Sequence, residues 1–397
     1  MGDLLRLGKE HDRRLRAGHL WVYSNEIDAE ATPLSGFEPG QVVNIENAQG
    51  KWQGLGYVNP NSLICARLVT RTRGIALDGS LLVHRIKVAL ALRERLSPLP
   101  YYRLLFGEAD GVPGVVVDRY GDYLAVQITT AGMEAQREAL VAALVKVLKP
   151  AGIILRNDGA VRELEGLTRY VELAHGSVPD RVAIEEGGCR FDVSLYEGQK
   201  TGWFYDQTAN RDQFLRYVQG KRVLDVCSYV GGWSVRAAKA GAAAVTAVDV
   251  SAQALQQLEH HAALNQVDER VTAIRGDAFQ VLRELRAERE HFDVVVLDPP
   301  AFIKRKKDLK EGTLAYRRLN EAALGLLERD GVLVTASCSF HMHGDQLLRT
   351  VQQAARHSDR SLQLLQHGQQ SPDHPIHPAI PETAYLKAFY LRVLPTL

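Results

Sequence analysis

Cysteine is scarce and scattered in this chain. Its four cysteines, Cys65, Cys189, Cys227 and Cys338, form no CxxC pair, which argues against a zinc site and a disulfide framework and fits a reducing compartment. Long apolar runs are missing too: none approaches the ~18 residues of a membrane-spanning helix. The opening "MGDLLRLGKEHDRRLRAGH" is too charged for the apolar core of a signal peptide, so the protein is expected in the cytoplasm, away from membranes. Neither charge is in excess, with 48 Lys plus Arg against 47 Asp plus Glu, a formal +1. A polyanion would have to be gripped by local basic patches rather than by a global field. Long repeats and low-complexity tracts are absent. Two histidine pairs, His341 with His343 and His374 with His377, lack carboxylate or thiolate partners at a metal-ligand spacing, so no metal is expected.

What is present suffices for several domains: 397 residues, 46% hydrophobic and 24% charged. Residues 18–72 read as a small all-β unit, with strand-like "QVVNIEN", "AQGKW" and "GLGYVNPNSLICARLVT" between turn residues. A helix is predicted over residues 80–96, where apolar side chains recur every three to four positions. A middle α+β region follows. It holds a hairpin in "GVVVDRYGDYLAVQI", a helix in "MEAQREALVAALVKVLK", a strand in "GIILRND" and a second hairpin turning at Gly187 and Gly188. From Gly220 the text alternates strand and helix, with "RRLNEAALGLLERDG" read as a helix and "VLVTASCS" as the strand after it. Such alternation specifies a largely parallel sheet with helices on both faces and a ligand site at the carboxyl ends of its strands.

Three acids close three successive strands: Asp225 in "VLDVCSYVGGWS", Asp249 in "AAVTAVDVS" and Asp277 in "VTAIRGDAF". The glycines after Asp225 do not make GxGxxG, so a pyrophosphate cradle is not indicated. Asp249 is placed for the hydroxyls of an adenosine ribose and Asp277 for an adenine amine, which together point to an adenosyl ligand such as S-adenosylmethionine. Aspartate after a strand is also an ordinary helix cap or turn former.

The fourth strand ends in "LDPPAF". Its prolines stop the ladder and fix the carbonyls beside Asp298. Asp298, Pro299, Pro300 and Phe302 resemble a nucleobase-acceptor motif, the alternative being a plain strand terminator. One strand later Cys338 reaches the same sheet edge, a candidate nucleophile rather than an inert buried thiol. Carbon-5 of a pyrimidine becomes nucleophilic only after a thiolate adds at carbon-6, with Asp298 hydrogen bonding or protonating ring nitrogen 3. Beyond Phe302, "KRKKDLKEG" carries Lys304, Arg305, Lys306 and Lys307, able to meet phosphates flanking a base, or else only solvated surface.

At these residues the chain resembles the bacterial large-subunit (23S) ribosomal RNA cytosine-5 methyltransferase I family. The match rests on "EGQKTGWFYDQTANR" at 197–211, "DVCSYVGG" at 225–232, "DVS" at 249–251, "LDPPAF" at 297–302 and "SCS" at 337–339. The resemblance implies a PUA-like RNA-binding domain over residues 1–73 and a central α+β domain over 74–187. A Rossmann-like class I methyltransferase domain over 188–397 would follow, with S-adenosylmethionine as cofactor. It implies that Phe204, Asp206, Asp225, Ser228, Tyr229, Gly231, Asp249, Ser251, Asp277, Ala278 and Asp298 line the cofactor and that Cys338 attacks the base. The segment "QKTGWFYDQ" would cover the cofactor's methionine end. Expected partners are 23S ribosomal RNA or a large-subunit assembly intermediate, and a homodimer stays open. The RNA role of the first domain rests on the resemblance and not on charge, since residues 1–73 carry 9 Lys plus Arg and 8 Asp plus Glu. Many RNA cytosine-5 methyltransferases place a second cysteine after the fourth-strand proline, and here that position is Ala301, so the group assisting carbon-5 deprotonation is unidentified. Two rivals stand beside this reading: methylation of an exocyclic amine of adenine or guanine, which needs no cysteine, and a non-catalytic RNA-binding assembly factor.

Overall fold

The computed structural model describes residues 4–197 and 201–396, which divide into two compact units. The first comprises Met1–Ile184, Val193–Tyr205 and Pro372–Thr383; the second comprises Glu185–Asp192, Asp206–Ser371 and Ala384–Leu397.

In the first unit, β1 (Leu4–Arg6), β2 (Trp21–Val22), β3 (Val42–Glu46), β4 (Trp52–Val58) and β5 (Ala66–Thr70) form a sheet in the order β1-β3-β4-β5-β2. Val43 and Ile45 point inward from β3 at the two-residue period of a strand, meeting Leu5, Val58 and Leu68. Between β3 and β4 the strand-like "AQGKW" is mostly a turn. The Asn47 side chain accepts from the backbone of Gln49 and Lys51, a local bond that outcompetes the ladder.

A second sheet runs β10-β9-β8-β7-β6, from β6 (Tyr101–Phe106), β7 (Val115–Tyr120), β8 (Tyr123–Ile128), β9 (Gly152–Asn157) and β10 (Tyr170–Gly176). Two helices, α1 (Gly79–Leu96) and α2 (Arg137–Leu148), pack on each other in the same unit. Asp78 caps α1 by accepting from Leu81 N at 3.0 Å. The buried stripe of α1 is Leu82, Ile86, Ala89 and Arg93. Strands β6 and β10 escape the sequence pattern: β10 is an edge strand whose middle residues face solvent, so apolar alternation is missing. The hairpin of β11 (Val182–Glu186) and β12 (Cys189–Val193) turns at Gly187 (φ 57) and Gly188 (φ 74), the two left-handed positions that a tight two-residue turn requires.

The second unit is built on one mixed sheet, β15-β14-β13-β16-β17-β19-β18. Its strands are β13 (Arg222–Val226), β14 (Ala244–Asp249), β15 (Val271–Arg275), β16 (Phe292–Leu297), β17 (Leu327–Ser337), β18 (Arg360–Gln369) and β19 (Lys387–Pro395). Pairings among the first five are parallel, whereas β19 runs antiparallel to both β17 and β18. Helices α3 (Thr208–Phe214), α4 (Gly232–Lys239), α5 (Ala252–Leu264), α6 (Ala278–Ala287), α7 (Leu309–Leu324) and α8 (Gly344–His357) complete the unit. The chain winds outward from β13 to β15 and returns to β16 on the other side. The order therefore reverses between β13 and β16, the point at whose carboxyl ends such sheets bind their ligands. This is the expected Rossmann-like α/β architecture. One boundary differs from the sequence reading: residues 327–331 are strand, not helix. The helix ends at Leu324, Leu326 O accepts Phe292 N at 2.9 Å, and Leu327 takes Phe292 as its ladder partner. Among the described residues no helix is long and apolar enough to cross a membrane.

Candidate active site

At the end of β13 Asp225 is fully buried. Its Oδ2 accepts the Ser234 hydroxyl at 2.5 Å, while its Oδ1 has no hydrogen-bond partner. The buried hydroxyl of Ser228 also lacks one. Burial pushes the Asp225 carboxyl up to about 7, with the charges of Asp298 and Asp249 adding to it and the Ser234 bond opposing. The loop to α4 puts Cys227 (φ 66), Tyr229 (φ 50) and Gly231 (φ 88) in the left-handed region. Such a backbone is costly for non-glycine residues and persists where its surroundings hold it. Here Cys227 N and Ser228 N donate to Val248 O at 2.9 and 3.0 Å, and Tyr229 N donates to Asp249 Oδ2 at 2.9 Å. Gly231 is required twice over, by its φ and because a Cβ would lie 2.7 Å from Leu258 Cγ.

Asp249 accepts Ser251 N at 2.9 Å through its other oxygen, and Ser251 caps α5. Asp277 is the exposed cap of α6, accepting Gln280 N at 3.1 Å, with Ala278 as the first helical residue. The capping role weighed for these strand-end acids is thus realised at Asp277. Asp206 is buried in the second unit, where Tyr385 donates its hydroxyl to Oδ2 at 2.5 Å. Phe204 falls in the first unit. Residues 199 and 200 of the "QKTGWFYDQ" segment lie outside the described residues.

Asp298 stands at the end of β16. Gln207 Nε2 donates to its Oδ1 at 2.9 Å and Trp233 Nε1 to its Oδ2 at 3.1 Å. Burial raises its pKa and the Asp206 charge adds to that, against the pull of the two donors. Pro299 is buried and Pro300 exposed. Phe302 packs on Tyr316 with ring centroids 4.8 Å apart, and Ile303 N donates to Ser339 Oγ at 3.2 Å. Parallel pairing sets Leu297 opposite Thr335, so the ends of β16 and β17 emerge side by side. Just beyond, Cys338 is partly exposed between the buried Ser337 and Ser339. Both flanking hydroxyls bond to the Tyr316 hydroxyl, at 2.8 and 3.0 Å. Lys304, Arg305, Lys306 and Lys307 are all exposed, with Arg305 held to Asp308 at 3.2 Å.

Residues 5–71 match the PUA-like domain family and residues 169–392 match the S-adenosylmethionine-dependent methyltransferases. The Ribosomal RNA large subunit methyltransferase I of Aliivibrio fischeri is 38% identical over 394 residues, with 98% of each chain covered. That of Cronobacter sakazakii is 38% identical over 403 residues, covering 99% of this chain and 100% of its own. The chain belongs to the ribosomal RNA large subunit methyltransferase I family. Among solved structures, a chain assigned as a methyltransferase and complexed with SAH superposes with a TM-score of 0.85 at 22% identity, over 98% of this chain and 100% of that one. A Streptococcus mutans chain assigned as an S-adenosylmethionine-dependent methyltransferase gives 0.84 at 22%, with the same coverage. Both share the fold of this methyltransferase I chain.

The structure adds residues to the site of this methyltransferase I member that the sequence did not single out. Gln207 and Trp233 lie inside quoted motifs, "WFYDQ" and "VGGWS", and a count of donors for Asp298 would have found them. Tyr316, Tyr385 and Lys387 carry no local signal, since they reach the site from α7 and from the antiparallel end of the sheet.

Proposed function

We propose that this enzyme methylates carbon-5 of a cytosine in 23S ribosomal RNA through a covalent Cys338 adduct. The observation that carries the reading is the seam between two strand ends. The loop after Asp298 is tied through Ile303 N to Ser339, and Cys338 is the partly exposed residue between two buried serines. A thiol that only filled a core would have no reason to stay partly exposed just past a strand end.

S-adenosylmethionine supplies an electrophilic methyl group when bound. The residues fit such a ligand: Asp225 Oδ1 and Ser228 Oγ are buried polar atoms without partners, available to its polar end. Asp249 would take the ribose hydroxyls, Asp277 and Ala278 would border the adenine, and Gly231 lets the backbone come close. Asp206 and Tyr229 would belong to the same lining, with Ser251 beside Asp249.

Cys338 adds its sulfur to carbon-6 of the base, and the displaced electron pair moves toward ring nitrogen 3. Asp298, whose pKa burial has raised, donates or shares a proton there. Carbon-5 then takes the methyl group and gives up its proton to solvent, and the restored double bond expels the Cys338 thiolate as the proton at ring nitrogen 3 returns to Asp298. Pro299, Pro300 and Phe302 border the base. Lys304 to Lys307 face the flanking phosphates, positioning the strand without reading it. The PUA-like region, residues 1–73, the central region, 74–187, and the catalytic region, 188–397, divide RNA binding from chemistry in a cytoplasmic enzyme.

The test is RNA carrying 5-fluorocytosine at the target. Wild-type protein should be trapped covalently on it, because carbon-5 has no proton to lose, and Cys338→Ala should form no adduct and lose methyl transfer by several orders of magnitude. Carbon-5 methylation by Cys338→Ala would overturn the mechanism. Methyl groups found only on exocyclic amines would transfer the reading to amine chemistry.

A further inference from the structure

Lys387 opens β19, and the antiparallel ladder sets it directly opposite Ser337. From there its ammonium reaches across the turn that carries the nucleophile, donating to the carbonyl of Ser339 at 2.7 Å and to that of Tyr385 at 2.8 Å. Two of its three donors are thereby fixed. The group is partly buried, and desolvation brings Lys387 down to about 8, against the attraction that a Cys338 thiolate would exert. A desolvated cation costs free energy unless an anion answers it, and the two carbonyl dipoles answer it only in part.

Tyr316, from α7, also faces the turn. Burial raises its pKa, so it stays a neutral hydroxyl bonded to Ser337 and Ser339. Tyr385 directs its own hydroxyl away to Asp206. Lys387 is therefore a cation placed at the turn where it can stabilise a sulfur anion.

We propose that Lys387 is a positioning residue for the nucleophile: its ammonium favours the thiolate of Cys338 and clamps the Ser337–Cys338–Ser339 turn from the β19 side. The inference rests on the reading of Cys338 as nucleophile. It supplies what that reading lacked, a local reason for the sulfur to ionise, with the thiol proton going to solvent. A lysine that served only to join β19 to β17 would leave the reactivity of the sulfur unchanged when replaced by another strand-compatible residue.

The experiment measures alkylation of Cys338 by iodoacetamide from pH 5.5 to 9 on the full chain, with the labelled peptide identified by mass spectrometry. Lys387→Met should slow the reaction at pH 7 about tenfold, the equivalent of one unit in the thiol's titration. Lys387→Gln keeps a donor for the Ser339 carbonyl but no charge, so it should show the same loss and decides the matter if the methionine variant does not fold. Lys387→Arg should restore most of the rate. Single-turnover methyl transfer should fall in step while S-adenosylmethionine affinity is unchanged. A folded neutral variant with the wild-type alkylation profile overturns the proposal. Failure of the underlying reading looks different: Cys338→Ser would then still methylate carbon-5, whatever the profile of the Lys387 variants.

Discussion

Ile303 donates its backbone N–H to the side chain of Ser339 at 3.2 Å, which fastens the loop that follows Asp298 to the turn that carries Cys338. The same Ser339 oxygen contacts the Tyr316 hydroxyl at 3.0 Å. One hydroxyl thus joins the loop after β16, the turn after β17 and helix α7. Ser339→Ala removes that joint and strands the buried Ile303 donor, at ~1–3 kcal/mol. Part of this should appear as a roughly tenfold slower single-turnover methyl transfer, while calorimetry shows unchanged cofactor affinity. A wild-type rate in a folded variant would mean that the joint is idle in catalysis.

Asp225 predicts an unusual pH dependence of stability for the unliganded protein. Its carboxyl titrates near 7 in the fold and near ~3.9 in an unfolded chain. The folded state therefore binds the proton more tightly, and the stability this contributes is complete below the unfolded value and lost as pH rises toward 7. The loss is on the order of a few kcal/mol. Urea midpoints should fall from pH 5 to pH 8, and Asp225→Asn should flatten that slope. The wild-type-minus-variant difference isolates Asp225 from the histidines that titrate in the same range. An equal slope in both proteins removes Asp225 as its source.

The basic run offers a test of RNA contact that leaves chemistry aside. Lys304, Lys306 and Lys307 are exposed, whereas Arg305 is held by Asp308, so the three lysines are the side chains to change. Replacing all three by glutamate should weaken RNA binding and make the slope of log affinity against log salt shallower by about 2, at ~0.7 per lost phosphate contact on a single strand. Cofactor affinity should hold. Wild-type affinity and slope together would reduce the run to solvated surface.

Arg93 concerns stability in the first unit. Its guanidinium is fully buried, paired with both oxygens of Asp110 at 2.6 and 2.7 Å, and donates to the carbonyls of Arg103 at 2.8 Å and Asp373 at 2.7 Å. Arg93→Ala leaves Asp110 buried without its counter-ion, a change that costs about 3–5 kcal/mol. Chemical denaturation should report that loss. Hydrogen exchange should quicken over residues 372–383, which are bonded to Arg93 through the Asp373 carbonyl. A loss under 1 kcal/mol would show the pair to be nearly balanced by its own desolvation.

Element type along most of this chain was legible because it depends on near neighbours. Runs such as "DVVVL" and the repeating apolar face of α6 are set by the two- and 3.6-residue periods of the backbone itself. The left-handed turn at Gly187 and Gly188 was likewise readable, since few residues other than glycine accept that backbone. The three strand-end acids were legible as a set. Their separate duties were not, because the same aspartate that can hold a ribose also caps a helix, as Asp277 does.

Other features were settled only by distant parts of the chain meeting. Residues 327–331 look helical in isolation but become strand because Phe292 offers them a ladder. Residues 372–383 fold with the first unit although they follow nearly all of the second, and part of what holds them is the buried Arg93. Lys387 lies beside Ser337 and Cys338 because β19 returns antiparallel to β17. The amino-acid sequence by itself determined most of the segments that become strands and helices, which strand ends carry carboxylates, and that one cysteine follows the strand beside "DPP". Tertiary structure decided which donors meet Asp298, which carboxylate is stripped of water, and which cation faces Cys338. Those outcomes depend on groups brought together across the whole chain, whose electrostatic and desolvation energies have no local pattern to record them.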